Sequence, residues 1–285
     1  MVFPFTCARA CTRHNQNVVS NAAGVVAAHI WDESVLMPPA FKYGLISDIH
    51  ANYVAMRVAL DYLQAAHVDK ILCLGDLVGY GAEPQACIDA VRNQPNILTI
   101  AGNHDRQLIG DSDTHMRRTA TEVLEWTAKQ LSSEQMQFVK RLPKGLTVDE
   151  LLVMVHASLV ERDAYILTPQ EISRNFVCML NDFPKQRICF YGHTHVPMLI
   201  GTKTIVTALH ETQTLQLDRD DIYFINPGSV GQPRDKCPLA CFGVFDAAQW
   251  TMTFVRRPYD LRLAQKKIIE SGLPEKFARR LAVGI

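Results

Sequence analysis

The chain lacks most features that would assign it a class at a glance. It has no formal net charge: 29 basic residues balance 29 acidic ones in 285. A neutral chain has no overall attraction to nucleic acid or to an anionic membrane. No apolar run approaches the roughly 20 residues that a membrane span needs. There is no internal repeat and no low-complexity tract. Eight cysteines are present, but none forms a Cys-x2-Cys pair. Cys7/Cys11 and Cys237/Cys241 have three residues between them, which reads as chance spacing and not as a zinc site. Cys73 and Cys189 lie inside apolar runs, where cysteine behaves as a small hydrophobe. This usage suits a reducing compartment, so a cytoplasmic location is expected.

Hydrophobic residues, in contrast, are plentiful. They make up 48% of the chain, enough for a sizeable core, which excludes disorder as the overall state. Residues 1–36 differ from the rest. Arg9, Arg13 and the Ser/Thr/Asn content give them a faint transit-type character, and they are expected to be an extension. The domain is expected over 37–285. From Phe41 strand-like and helix-like patterns alternate. Asn52 can cap a helix carrying Val54, Val58, Tyr62 and Ala66 at helical spacing. Glu83-Pro84 opens another helix. Residues 116–142 read as two helices, with Ser132 and Gln135 as a capping box for the second. Thr168-Pro169-Gln170-Glu171 starts a further one. After Arg187 short strands and Pro/Gly turns dominate, until a broken helical stretch runs from Asp260 to Leu281.

The most informative pattern is that five apolar runs each stop at a metal-type ligand. They are Tyr43-Gly-Leu-Ile-Ser-Asp48-Ile-His50, Ile71-Leu-Cys-Leu-Gly-Asp76, Ile97-Leu-Thr-Ile-Ala-Gly-Asn103-His104-Asp105, Leu151-Leu-Val-Met-Val-His156 and Ile188-Cys-Phe-Tyr-Gly-His193-Thr-His195. Short apolar runs ending in turns read as buried strands. In α/β proteins, sites form outside the carboxyl ends of the strands. Asp48 and His50, two apart at a strand-to-loop turn, can point at one ion. A carboxylate such as Asp76 has two oxygens and can bridge two cations. Carboxylate plus imidazole suits Mn, Fe, Zn or Ni and argues against Ca, which prefers oxygen alone. One Asp or one His after a strand is usually a cap or a hydrogen-bonded structural residue. Five in this order imply two divalent ions with a proton donor beside them: a dinuclear metal hydrolase.

The ordered set Asp-x-His, Gly-Asp, Gly-Asn-His-Asp, His and Gly-His-x-His resembles the calcineurin-like metallophosphoesterase superfamily, from about Phe41 to the C-terminus. Leu74-Gly-Asp-Leu-Val-Gly-Tyr-Gly81, Ile225-Asn-Pro-Gly-Ser-Val-Gly-Gln-Pro-Arg-Asp235 and Arg257-Pro-Tyr-Asp260 narrow the likeness to bacterial predicted phosphodiesterases and diadenosine-tetraphosphatase-like proteins. The resemblance implies a four-layer α/β/β/α sandwich of two mixed sheets flanked by helices, with the dinuclear site at one edge. It implies that Asp48, His50 and His195 hold one ion, that Asn103, His156 and His193 hold the other, and that Asp76 bridges them. His104 would protonate the leaving oxygen, with Asp105 orienting its ring. Water activated between the two metals would attack phosphorus in line.

Protein Ser/Thr phosphatases of that superfamily carry Gly-Asp-x-Val-Asp-Arg-Gly, whereas this chain has Gly75-Asp-Leu-Val-Gly-Tyr-Gly81. The phosphate-binding Arg of that motif is absent. Arg234 could supply a replacement cation, or lie on the surface of a Pro-bounded loop. Tyr80 could stack on a base, although packing of its own loop is the favoured reading. The expected substrate is a small-molecule phosphodiester or nucleotide-type phosphate. Phosphomonoesters, phosphoproteins included, and a non-catalytic scaffold are the alternatives.

Overall fold

The computed structural model describes residues 41–111 and 116–285; the expectations for residues 1–36 and the Cys7/Cys11 pair lie outside them. The elements run β1 (Lys42–Ile46), α1 (Tyr53–Ala65), β2 (Lys70–Cys73), α2 (Pro84–Arg92), β3 (Ile97–Thr99), α3 (Asn103–Leu108), α4 (Arg118–Gln130), α5 (Ser133–Arg141), β4 (Gly145–Val148), β5 (Leu152–Val155) and α6 (Pro169–Asp182). They continue with β6 (Ile188–Phe190), β7 (Met198–Gly201), β8 (Ile205–Val206), β9 (Gln213–Gln216), β10 (Tyr223–Asn226), β11 (Ala240–Asp246), β12 (Thr251–Arg257), α7 (Leu261–Glu270) and α8 (Glu275–Leu281).

Two six-stranded mixed sheets result, ordered β3-β2-β1-β11-β12-β9 and β4-β5-β6-β10-β7-β8. In the first, β1, β2 and β3 are parallel. In the second, β5, β6 and β10 are parallel. Side chains alternate between the two faces of each strand, and this alternation builds the layers. Leu152, Met154, Ile188 and Phe190 meet Leu45, Leu72, Phe245 and Phe254 of the other sheet in a core between the sheets. Val153, Val155, Cys189 and Tyr191 turn outward and pack with Cys178 and Met179 of α6. Ile46, Ile71 and Cys73 turn outward from the first sheet, against Met56, Leu63 and Ile88 of α1 and α2. The expected α/β/β/α sandwich therefore forms because the central strands β1, β2, β5, β6 and β10 are largely apolar on both faces and both faces are covered.

The helix starts follow their sequence signals. Asn52 Oδ1 accepts from the Ala55 amide at 3.2 Å. Ser132 with Gln135 and Thr168 with Glu171 form reciprocal capping boxes. Two short elements had no such signal. The six-residue α3 is too short to show a period. The β4–β5 hairpin turns at Asp149 and Glu150, both at positive φ, without the Gly or Asn that usually marks such a turn.

Candidate functional site

Six strands end at one edge of the sandwich, and each delivers part of the site. Asp48 and His50 follow β1, and Asp76 follows β2. Asn103 and His104 open α3 after β3. His156 follows β5, His193 and His195 follow β6, and the segment after β10 carries Arg234. The backbone there is contorted. Asp48, His50, Asp76, His193 and His195 all have φ between 49° and 66°, as does Tyr80. Such left-handed conformations are uncommon outside glycine and concentrate at functional sites.

The side chains converge. Asp48, His50, Asp76 and His195 bring one ligand atom each within 4.8 Å of one another. His50 Nε2 and His195 Nε2 are 3.1 Å apart, and His195 Nε2 is 3.3 Å from Asp48 Oδ1. Beside them, Asn103 Oδ1 is 3.0 Å from both His156 Nε2 and His193 Nδ1. Asp76 Oδ2 joins the two groups, 3.6 Å from His50 Nε2 and 3.4 Å from His156 Nε2. All seven residues expected as ligands are thus gathered into two adjoining sets with one carboxylate between them.

Their surroundings suit a cation. The Nδ1 atoms of His50, His156 and His195 each pair with a main-chain carbonyl, that of Val78, Leu74 and Gln232. That contact holds a ring proton on Nδ1 and turns Nε2 toward the centre, the usual outer-shell arrangement of a metal-binding histidine. Asp48 and Asp76 are almost fully buried, and among the described residues only histidines lie within ion-pair distance of them. Burying unpaired carboxylates costs several kcal/mol each by rough estimate. Two facing lone pairs at 3.1 Å and two buried carboxylates are what a pair of divalent ions would satisfy, and the mixed N/O donor set fits Mn, Fe, Zn or Ni.

The same crowding sets the proton affinities. Burial raises the Asp48 carboxyl above the ordinary carboxylate range, against the pull of His156. Burial acts the same way on Asp76, but His156 and His104 beside it prevail and hold it well below that range. Burial lowers His156, yet Asp76 and Asp48 push it up to about 9. Burial draws His193 down to about 3 and His104 down to about 4.

Three further side chains support the ligands. Ser47 Oγ donates to Asp48 Oδ2 at 2.7 Å. Asn226 Nδ2 donates to the Gly192 carbonyl, tying β10 to the His193-Thr-His195 turn. Ser229 Oγ donates to the Asp48 carbonyl at 2.8 Å. Cys237 and Cys241 take no part and carry free thiols.

One expected contact is corrected. Asp105 does not orient the His104 ring. Its carboxylate accepts from the amides of Leu77, Val78 and Gly102. It therefore braces the loop that carries Asp76. Adjacent residues at a helix start do not face the same way, so closeness in sequence did not produce the contact. His104 Nε2 instead meets the Tyr80 hydroxyl at 3.1 Å, and its Nδ1 has no partner. Tyr80 both packs and faces the site: its ring lies 4.5 Å from that of His104 and 4.9 Å from Phe277. Arg234 is half-buried and turns toward the site, with Nη2 3.3 Å from the Tyr80 hydroxyl. Both line a cavity of about 630 Å³ that opens from Asp76, Asn103 and His104. Tyr165, for which no motif gave a signal, stacks on His193 at 4.5 Å in the same cavity.

Comparison with known proteins agrees with this geometry. Residues 41–249 match the model of the calcineurin-like phosphoesterase superfamily domain. The uncharacterized protein MJ0912 of Methanocaldococcus jannaschii is 34% identical over 247 residues, covering 84% of this chain and 97% of that protein. The crystal structure of a metallophosphoesterase from Sphaerobacter thermophilus is 35% identical, with a TM-score of 0.75, covering 86% of this chain and all of that one. The hypothetical protein PH1004 of Pyrococcus horikoshii shares the fold at 20% identity, with a TM-score of 0.69 and coverage of 86% and 98%. Sequence, architecture and the clustered Asp/His side chains agree: the chain belongs to the calcineurin-like phosphoesterase superfamily, hydrolases that act on phosphoric esters.

Proposed function

We propose that the chain is a two-metal phosphodiesterase acting on small phosphodiesters or nucleotide-type phosphates. The observation that carries this reading is Asp76 Oδ2, shared between His50 of one ligand set and His156 of the other. Asp48, His50 and His195 would hold one ion, and Asn103, His156 and His193 the second. Bound there, two divalent ions supply Lewis acidity toward a phosphoryl oxygen and lower the pKa of water toward ~7.

The chain's own residues do the rest. Main-chain carbonyls fix the three Nδ1 atoms and so aim the Nε2 lone pairs. His104 stands at the cavity wall and delivers a proton to the leaving oxygen, a step worth roughly 10²–10⁴ in rate. An incoming phosphoryl anion beside the ring raises the proton affinity that burial has lowered. Tyr80, 3.1 Å from His104 Nε2, fixes the ring from its polar edge. Arg234 adds a positive charge where the first motif has none. Aromatic surface from two separate loops, Tyr80 on one and Tyr165 on the other, flanks the centre. A diester has a substituent on each side of phosphorus, and this cavity has walls for both.

The test is hydrolysis of bis-p-nitrophenyl phosphate against p-nitrophenyl phosphate, by chelated protein refilled with Mn²⁺. Preference for the diester is expected. Preference for the monoester would replace the reading with a phosphatase.

A further inference from the structure

The cavity beside the candidate metal centre carries more positive charge than one phosphoryl group requires. Four cations line it: Arg117 just before α4, Arg234 after β10, and Lys276 and Arg280 on α8. Among the described residues none of the four pairs with an Asp or Glu side chain. Lys276 Nζ donates to Thr119 Oγ1, and Arg280 Nε to a main-chain oxygen of Ile285, the last residue of the sequence, which also lines the cavity. Besides Asp76, Asp163 is the one acidic side chain on the wall, and it is engaged by Arg106.

These cations are close neighbours. The guanidinium carbons of Arg234 and Arg280 lie 5.9 and 6.0 Å from the centre of the Tyr80 ring. Burial lowers the proton affinity of Arg280, and repulsion from Arg234 and Arg117 lowers it further. Packing holds α8 in place, because Phe277, Ala278 and Leu281 are buried against Val54, Val123 and Ile268. Like charges so gathered repel unless something anionic sits among them. Arg234 touches the Tyr80 hydroxyl, which touches His104, and so belongs to the reacting end. Arg117, Lys276 and Arg280 extend beyond it.

We propose that Arg117, Lys276 and Arg280 form a second anion subsite, and that the substrate carries a further phosphate group besides the ester that is cleaved. This deepens the diesterase reading and rests on it. Two of the three cations come from α8, outside the 41–249 match to the family model.

A matched pair of chromogenic diesters tests it: thymidine 5′-(p-nitrophenyl phosphate) and the same compound bearing a 3′-phosphate. The scissile ester is identical, and only the remote anion differs. In the wild-type Mn²⁺ enzyme, kcat/KM for the 3′-phosphorylated compound should be higher by about ten-fold or more, the scale of one or two charge-assisted contacts. In the Lys276→Ala/Arg280→Ala double variant, and in Arg117→Ala, the ratio of the two kcat/KM values should fall toward unity. Raising the ionic strength to about 1 M, where the Debye length is ~3 Å, should lower the same ratio in the wild type without any mutation. Turnover of both compounds at equal kcat/KM overturns the subsite and leaves the diesterase reading intact. So does a preference that survives both the variants and the salt. Failure to cleave either thymidine diester, or bis-p-nitrophenyl phosphate, overturns the diesterase reading and the subsite with it.

Discussion

His50 and His195 present their Nε2 atoms to each other at 3.1 Å, with neither ring free to turn away. The carbonyls of Val78 and Gln232 hold the opposite nitrogens. Without a shared cation this is lone pair against lone pair, beside two buried carboxylates. Metal should therefore stabilise the fold as well as enable turnover. At a thousand-fold excess over Kd, a ligand that binds only the folded state adds about 4 kcal/mol. At ~2–4 °C per kcal/mol this is on the order of ten degrees in Tm. Calorimetry before and after exhaustive chelation, then after Mn²⁺ is restored, checks it. An unchanged Tm in fully stripped protein would remove the cluster as a metal site.

Asp76→Asn isolates the shared carboxylate. Asp76 Oδ1 accepts the His104 amide at 2.8 Å, while Oδ2 faces both ligand sets. The amide is isosteric, so the fold should persist. Metal analysis should show loss of at least one ion. Turnover of bis-p-nitrophenyl phosphate should fall by more than the ~10–100-fold typical of outer-shell partners. A variant with two ions and full activity would rule out the bridging role.

His104 and Asp105 should fail differently although they are neighbours. His104→Ala removes the proposed acid but none of the proposed ligands. It should keep both ions and slow turnover by roughly 10²–10⁴, most for poor leaving groups. Asp105→Asn instead weakens the acceptor for three amides, two of them just after Asp76. Its effect should appear as lower stability, by about 1–3 kcal/mol, and poorer metal retention. A leaving-group series on each variant separates the two. A leaving-group dependence in Asp105→Asn like that of His104→Ala would reinstate a direct link between the carboxylate and the ring.

How much of this could be read in advance depended on distance along the chain. The strand ends were legible because each ligand directly follows its own apolar run, and a strand fixes where its end points. The α6 and α5 caps were legible because both partners lie within one turn. The cation wall was not. Arg117, Lys276 and Arg280 stand in ordinary polar helix-edge positions, and only tertiary packing brings α4 and α8 to the cavity. Tyr165 sits in a loop without periodicity, so nothing local ties it to His193. The Asp105 role came from the family resemblance and not from this chain's own pattern, and at the start of α3 neighbouring side chains point apart, so its carboxylate meets the amides of Leu77, Val78 and Gly102 instead.

Glycines next to the ligands separate a demand for space from a demand for conformation. Gly102 has φ −82° and ψ −179°, ordinary extended backbone. A Cβ there, however, would lie 2.0 Å from Asp76 Oδ1 and 2.3 Å from the Asp76 amide. Gly272 shows the reverse. It caps α7 at φ +70°, and a Cβ would meet nothing within 4 Å. Gly102→Ala should therefore displace Asp76, cost roughly 1–3 kcal/mol by overpacking and release metal. Gly272→Ala should cost about 1 kcal/mol of conformational strain and leave metal content unchanged. Thermal denaturation paired with metal analysis on both variants reads the distinction. Equal metal loss in the two would mean that general destabilisation, and not the close approach at Asp76, controls the centre.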